Sequence, residues 1–129
     1  LSQNKQAGAR KKPERVEGTL SCELPKTLVK KNDIHITSKR NFDCFQDTEL
    51  DMLLKRTLDV KNIIICGVNT DTCVYGTTFG ASNRGYNPIV IECCTGSMRG
   101  EDQHKTALKI MSQSIAWVMK KEEILNKLN

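Results

Sequence analysis

Two apolar periods divide this chain. At residues 62–66, Ile63, Ile64, Ile65 and Cys66 follow one another without a polar break, the pattern of a strand covered by helices on both faces. Gly67 ends the run, and the polar turn of residues 68–72 leads to Cys73 at the head of an amphipathic helix predicted over 73–84. After Gly85, a fitting helix C-cap, residues 88–92 (Pro-Ile-Val-Ile-Glu) repeat the buried-strand pattern. Ahead of the first run, Leu50, Leu53, Leu54 and Leu58 recur at helical spacing behind Asp47 or Thr48, either of which can cap, so a helix is expected over 48–58. Further on, Ala107, Leu108 and Met111 share one face of a helix at 104–113, a short strand is expected at 114–119, and Ile124, Leu125 and Leu128 mark a closing helix at 120–128. Upstream, residues 33–38 alternate as a short strand, while 18–28 read as loop with a turn at Pro25. Strand and helix alternate along the chain, which predicts an α/β fold with a parallel sheet and right-handed crossovers.

Composition limits what this pattern can be. The 129 residues suffice for one small domain. Residues 1–17 are polar and without a period, a basic loop or tail, which leaves 18–129 as the folded part. No apolar run approaches the roughly 18 residues that a membrane span needs, and no signal-peptide pattern stands at the N-terminus. The six cysteines form no C-x-x-C pair and no zinc or disulfide spacing, so a reducing, cytoplasmic setting is expected. Cys66 and the vicinal Cys93 and Cys94 read as core or pocket wall. The net charge of +5 lies wholly in the first 31 residues. That head lacks the interleaved aromatics of a nucleic-acid module, so solvated loop is the preferred reading and nucleic-acid binding the disfavoured one.

The chemistry collects at strand ends. Cys73 follows the 62–66 strand and Lys39 the 33–38 strand, so both are expected at the carboxyl-end crevice where open α/β sheets bind ligands. A helix N-terminus and a nearby ammonium both favour a thiolate. Cys73 is thus either a nucleophile or a buried structural cysteine, and Lys39 either its partner or a solvated lysine.

Three spaced strings carry a family resemblance. Residues 36–50 read I-T-S-K-x-x-x-D-C-F-x-x-T-x-L; I-I-I-C-G-V-N-T-D-T-C-V and G-Y-x-P-I-V-I-E follow in order, with Gly18, Thr19 and Glu23 upstream and Thr95, Gly96, Ser97 and His104 downstream. Together, over residues 18–128, they resemble the isochorismatase-like cysteine hydrolases, N-carbamoylsarcosine amidase and nicotinamidase among them. The resemblance implies a doubly wound, Rossmann-like α/β sheet with helices on both faces. It implies that Cys73 attacks the carbonyl of a small amide, imide or ureido substrate and forms a thioester, with Lys39 supporting the thiolate. It further implies a cis peptide between Val68 and Asn69 and an oxyanion hole from the N–H groups of Asn69 and Cys73. Phe45, Thr72 and Tyr75 are the pocket candidates, and His104 reads as a helix-start or interface residue. No cofactor is called for and no metal site is assigned, since the Asp and His ligands of nicotinamidase relatives belong to a segment without a counterpart here. Run by run, I-E-C-C-T-G-S-M-R-G is closer to the ureido-amidase relatives.

The family's opening strands and its catalytic Asp also lack a counterpart: Glu14, Glu17 and Glu23 lie in loop and Asp33 precedes its strand. The chain is therefore expected to be the carboxy-terminal part of one hydrolase domain, with another chain or segment supplying the N-terminal strands and the Asp, and the whole a homo-oligomer. A non-catalytic or regulatory relative is the alternative expectation.

Overall fold

In this computed structural model residues 18–128 are described, and they fall into two units that divide between His35 and Ile36. The basic head, residues 1–17, lies outside the described residues. The first unit is loop and turns. Leu20–Cys22 makes one 3₁₀ turn, and the expected turn at Pro25 closes with the Leu28 N–H on the Pro25 carbonyl at 2.9 Å. At its end the Lys30 N–H bonds the Asp33 carboxylate at 2.7 Å while the Asp33 N–H returns to the Lys30 carbonyl. The strand expected at 33–38 is absent: these residues belong to no ladder. A strand is held by its neighbours' hydrogen bonds, and alternation alone does not provide one.

The second unit contains the sheet. One α-helical turn, α1 (Leu50–Met52), runs on as π-helix through Leu53–Thr57, shorter at its start than the expected 48–58. Next comes β1 (Asn62–Val68), a π-helical turn at Thr70–Val74, and α2 (Tyr75–Asn83). Strand β2 (Asn87–Gly96) continues four residues past the expected end, and α3 (Glu101–Ser114) begins three residues early. Only Trp117–Met119 of the expected 114–119 strand pairs, as β3, before α4 (Lys121–Leu128) closes the chain. The three strands are parallel in the order β1–β2–β3, with α2 and α3 in the crossovers.

The pleat sends successive side chains to opposite faces, and the core follows from it. Ile65 and Val90 meet Val74, Ala81, Ala107, Leu108 and Met111, with Ile63 and Val118 packed alongside. Met111 is fully buried, and truncating such a side chain to Ala costs about 2–5 kcal/mol. The other face is thinner. Ile91 and Ile124 are buried where α4 packs on β2, but Ile64 of β1 is 45% exposed. Cys66, Cys93 and Cys94 are also exposed, where core or pocket wall was expected; β1 pairs on one side only among the described residues, so nothing there covers them.

Residues 42–45 lie against α2. A Cβ at Gly76 would sit 3.4 Å from the Phe42 carbonyl carbon, and one at Gly80 within 2.6 Å of the Asp43 carboxyl carbon, so hydrogen at both positions lets the segment approach. The Thr77 hydroxyl accepts the Cys44 N–H at 3.2 Å and donates to the Phe42 carbonyl at 3.3 Å. Asp43 pairs with Arg84, whose guanidinium lies 5.0 Å from the centre of the Phe45 ring. Phe45, one of the pocket candidates, is 4% exposed and stacks on Tyr86 at 5.6 Å among core side chains. α2 ends as the C-cap reading of Gly85 requires. Gly85 has φ 82°, its N–H bonds the Ser82 carbonyl, and the Tyr86 N–H bonds that of Ala81.

Tyr86 ties this layer to α1 through a 2.8 Å hydrogen bond from its hydroxyl to the Asp51 carboxylate. Burial first, and then the bond to and charge of Asp51, push its phenol up to about 12. A raised native value means that its stabilisation is complete below the ordinary value of 10 and is lost as pH climbs through 12. We expect urea unfolding midpoints to fall between pH 10 and 12 and Tyr86→Phe to flatten that fall; an unchanged alkaline slope in the variant would contradict the assignment.

Candidate active site

Strand β1 delivers its chain to a tight reversal. Gly67 has φ 126°, a value that side-chain-bearing residues rarely take, and the peptide bond from Val68 to Asn69 is cis. The Asn69 carbonyl then accepts the N–H groups of Thr72 and Val74, both at 3.1 Å, which starts the π-turn that carries Cys73 into α2. Cys73 is half-buried there, beyond the carboxyl end of β1. Thr72 and Tyr75 flank it, both half-buried, with Tyr75 also packed on the core.

The turn is fixed from two sides. Behind it, Thr70 is fully buried and its hydroxyl lies 2.8 Å from Nδ1 of His104, itself only 9% exposed on α3. In front, the loop after β2 closes over it: the Asn69 side-chain oxygen accepts the Met98 N–H at 3.1 Å, the Ser97 hydroxyl donates to Asp71 at 2.6 Å, and the Arg99 guanidinium pairs with the same carboxylate. Burial alone would raise the Asp71 carboxyl, but Ser97 and Arg99 outweigh it and hold it below the usual carboxylate range. Asp71 is the acid nearest Cys73 in the chain, and its oxygens are committed to this clamp.

Lys39 arrives by a different route from the expected one. It follows an extended, unpaired stretch in which the Arg40 guanidinium donates to the Thr37 carbonyl at 2.8 Å and to that of Lys39 at 3.1 Å. Its charge acts on Cys44, whose thiol is pushed up by burial and by Asp43 while Thr77 and Lys39 pull the other way. Cys44 rests on Thr77, four residues along from Cys73, so the Lys39 segment and the Cys73 turn border the same helix. The clamp of Asp71, Ser97 and Arg99 and the Thr70–His104 pair were not assigned roles from sequence. The signal was an acid two residues from the candidate thiol, facing a serine and an arginine in a loop that follows the next strand. Among the described residues no group of three His, Cys, Asp or Glu side chains is arranged to hold a metal ion, and no helix is long and apolar enough to cross a membrane.

A thiol at a strand-to-helix turn of a parallel sheet occurs in more than one family, and comparison with known sequences decides between them. The family model described as Isochorismatase domain matches residues 2–123. The chain belongs to the isochorismatase family. Among curated members it is 33% identical over 97 residues to the isochorismatase family protein YecD of Escherichia coli O157:H7, an overlap covering 75% of this chain and 50% of that protein. An isochorismatase-like hydrolase from Alkaliphilus metalliredigens superposes with a TM-score of 0.81 at 27% identity, covering 89% of this chain and 63% of the other. The nicotinamidase SaPncA of Staphylococcus aureus superposes with a TM-score of 0.60 at 35% identity over 64% of this chain and 50% of its own. The isochorismatase-family chain described here spans about half the length of the curated relatives it matches. Its parallel sheet with helices is that of isochorismatase-like hydrolase structures, in agreement with the reading of its motifs.

Asp71 provides a direct check on the clamp. Its native value is depressed, so its contribution to stability is present above the ordinary 3.8 and disappears as pH falls below that through the native value. Asp71→Asn should cost about 1.5–3 kcal/mol at pH 7, the range for a hydrogen bond to a charged group, and should remove part of the acid-side loss. Urea titrations at pH 7 and pH 3 measure both; equal losses for wild type and variant would remove the clamp from the account.

Proposed function

We propose that this chain carries the thiol of a cysteine-dependent hydrolase that cleaves C–N bonds of a small amide, imide or ureido substrate, of the N-carbamoylsarcosine amidase or a related type. The observation that carries the reading is Cys73, half-buried in a braced turn at the carboxyl end of β1, in a chain of the isochorismatase family. The Cys73 sulfur attacks the substrate carbonyl carbon, and the oxygen takes the negative charge in a hole formed by the N–H groups of Asn69 and Cys73. Collapse breaks the C–N bond, the nitrogen leaves as ammonia or an amine, and water hydrolyses the thioester. Lys39 supports the thiolate and the developing charge, and Thr72 and Tyr75 line the pocket. Each oxyanion donor is worth about 2.7–4 kcal/mol in such sites.

The proton acceptor comes from outside the described residues. Asp71 is engaged with Ser97 and Arg99, so a further carboxylate is needed beside Cys73. The edge of β1 that is unpaired among the described residues, in a strand where Ile64 and Val68 are exposed, is the place where a further strand bearing that Asp would pair, from another chain or segment. The assembled enzyme is proposed to be a cytoplasmic homo-oligomer that needs no cofactor for the thiol step. The commitment of Asp71 also favours a second reading, a non-catalytic relative of the same fold.

The test is intact mass spectrometry of the purified protein, native and denatured, together with ammonia release from nicotinamide and N-carbamoylsarcosine. We expect turnover wherever the strand-bearing partner is present, its loss in Cys73→Ala, and a fall of about 100-fold or more in Lys39→Ala. Full turnover in Cys73→Ala excludes the nucleophile. Absence of turnover with partner present favours the non-catalytic relative.

A further inference from the structure

The pairing of β1 with β2 is interrupted where three cysteines meet. The strands run in step from Asn62 opposite Asn87 to Ile65 opposite Val90, and resume with Gly67 opposite Thr95. Between those points β1 has one residue, Cys66, and β2 has four, ending in Cys93 and Cys94. The excess on β2 forms a bulge. In a regular strand neighbouring side chains point to opposite faces, yet here the sulfurs of Cys93 and Cys94 are 4.0 Å apart. All three thiols are exposed.

Cys94 directly precedes Thr95 and Cys66 directly precedes its partner Gly67, and the two thiols are close enough to share a hydrogen bond across strands spaced about 4.8 Å apart. A disulfide spans Cα distances of about 4.4–6.8 Å. Adjacent residues, at about 3.8 Å, fall short of that range, which disfavours a ring between Cys93 and Cys94. Partial burial, then the charge and hydrogen bond of Cys94, then the charge of Cys93 raise the Cys66 thiol.

We propose that Cys66, Cys93 and Cys94 form an oxidation site, distinct from Cys73, at which hydrogen peroxide makes a disulfide between Cys66 and Cys94. The Cys94 thiolate attacks one peroxide oxygen; the S–O bond forms, the O–O bond breaks, and hydroxide leaves to become water. The Cys66 sulfur then attacks the sulfenic sulfur, the S–S bond forms, the S–O bond breaks, and hydroxide departs as water with the Cys66 proton. Two thiols lose two electrons and two protons in all, and one peroxide becomes two waters. The bridge staples β1 to β2 just ahead of the segments that carry Asn69 and Ser97.

The test uses the full chain, reduced, desalted and exposed to hydrogen peroxide at a few equivalents. Intact mass should fall by about 2 Da, two of the six thiols should resist alkylation, and peptide mapping should link the Cys66 peptide to the one bearing Cys93 and Cys94. Fragmentation of that linked pair should locate the bond at Cys94. Cys66→Ser and Cys94→Ser should each slow bridge formation at least tenfold, while Cys93→Ser should retain it. A bridge confined to Cys93 and Cys94, a bridge through Cys73, or six alkylatable thiols after treatment would each overturn the proposal, and the wild-type map alone distinguishes them.

Discussion

Parallel pairing carries β1 and β2 together as far as Val68 and Gly96, and the two segments leaving those residues must then run side by side. One turns at Gly67 and Asn69 into the Cys73 helix; the other bends through Ser97 to Arg99. Their polar groups meet because the strand register has placed them within reach, and Asp71 sits where the Ser97 hydroxyl and the Arg99 guanidinium converge. The pair of Thr70 and His104 completes the support from α3, a helix that is itself placed by the next crossover. The geometry around the thiol is thus a consequence of sheet register more than of local helix preference.

Packing on the helix side is dense and on the other side sparse. Val90, Ala81, Thr70, Thr78 and Met111 are sealed among the sheet, α2 and α3, while the opposite surface of β1 keeps Ile64 in solvent. Among the described residues this apolar run has one paired edge and one covered face, which is unusual for a strand of its composition, since unbroken β-branched runs belong to strands enclosed on every side. The chain's overlap with about half the length of its curated relatives agrees with that imbalance.

Elements that carry their own period were legible in the sequence. The 62–66 and 88–92 runs became β1 and β2, the leucines of 50–58 became a helical segment, and Gly85 ended α2 as a C-cap. Features that depend on distant partners were not legible. The end of β2 reads as polar loop, and Thr95 and Gly96 are strand only because Gly67 and Val68 lie beside them. Residues 33–38 have the alternation of a strand but no ladder. The stacking of Phe45 on Tyr86 joins residues 41 positions apart and has no local signal. Cys73 and Lys39 are candidates from motif spacing, whereas the clamp on Asp71 required Ser97 and Arg99, 26 and 28 residues away in the loop after β2, to be seen beside it.

The contact of residues 42–45 with α2 has two parts: the backbone of Phe42 and Asp43 lies against Gly76, and the Asp43 carboxylate lies against Gly80. Side chains at such a junction would act as springs, each rotamer setting a slightly different gap. At Gly76 two peptide surfaces in direct contact act as a stop, with a clearance set by bond lengths and van der Waals radii. The segment after Lys39 is therefore gauged against the Cys73 helix by backbone contact at Gly76 and by the Asp43 carboxylate at Gly80.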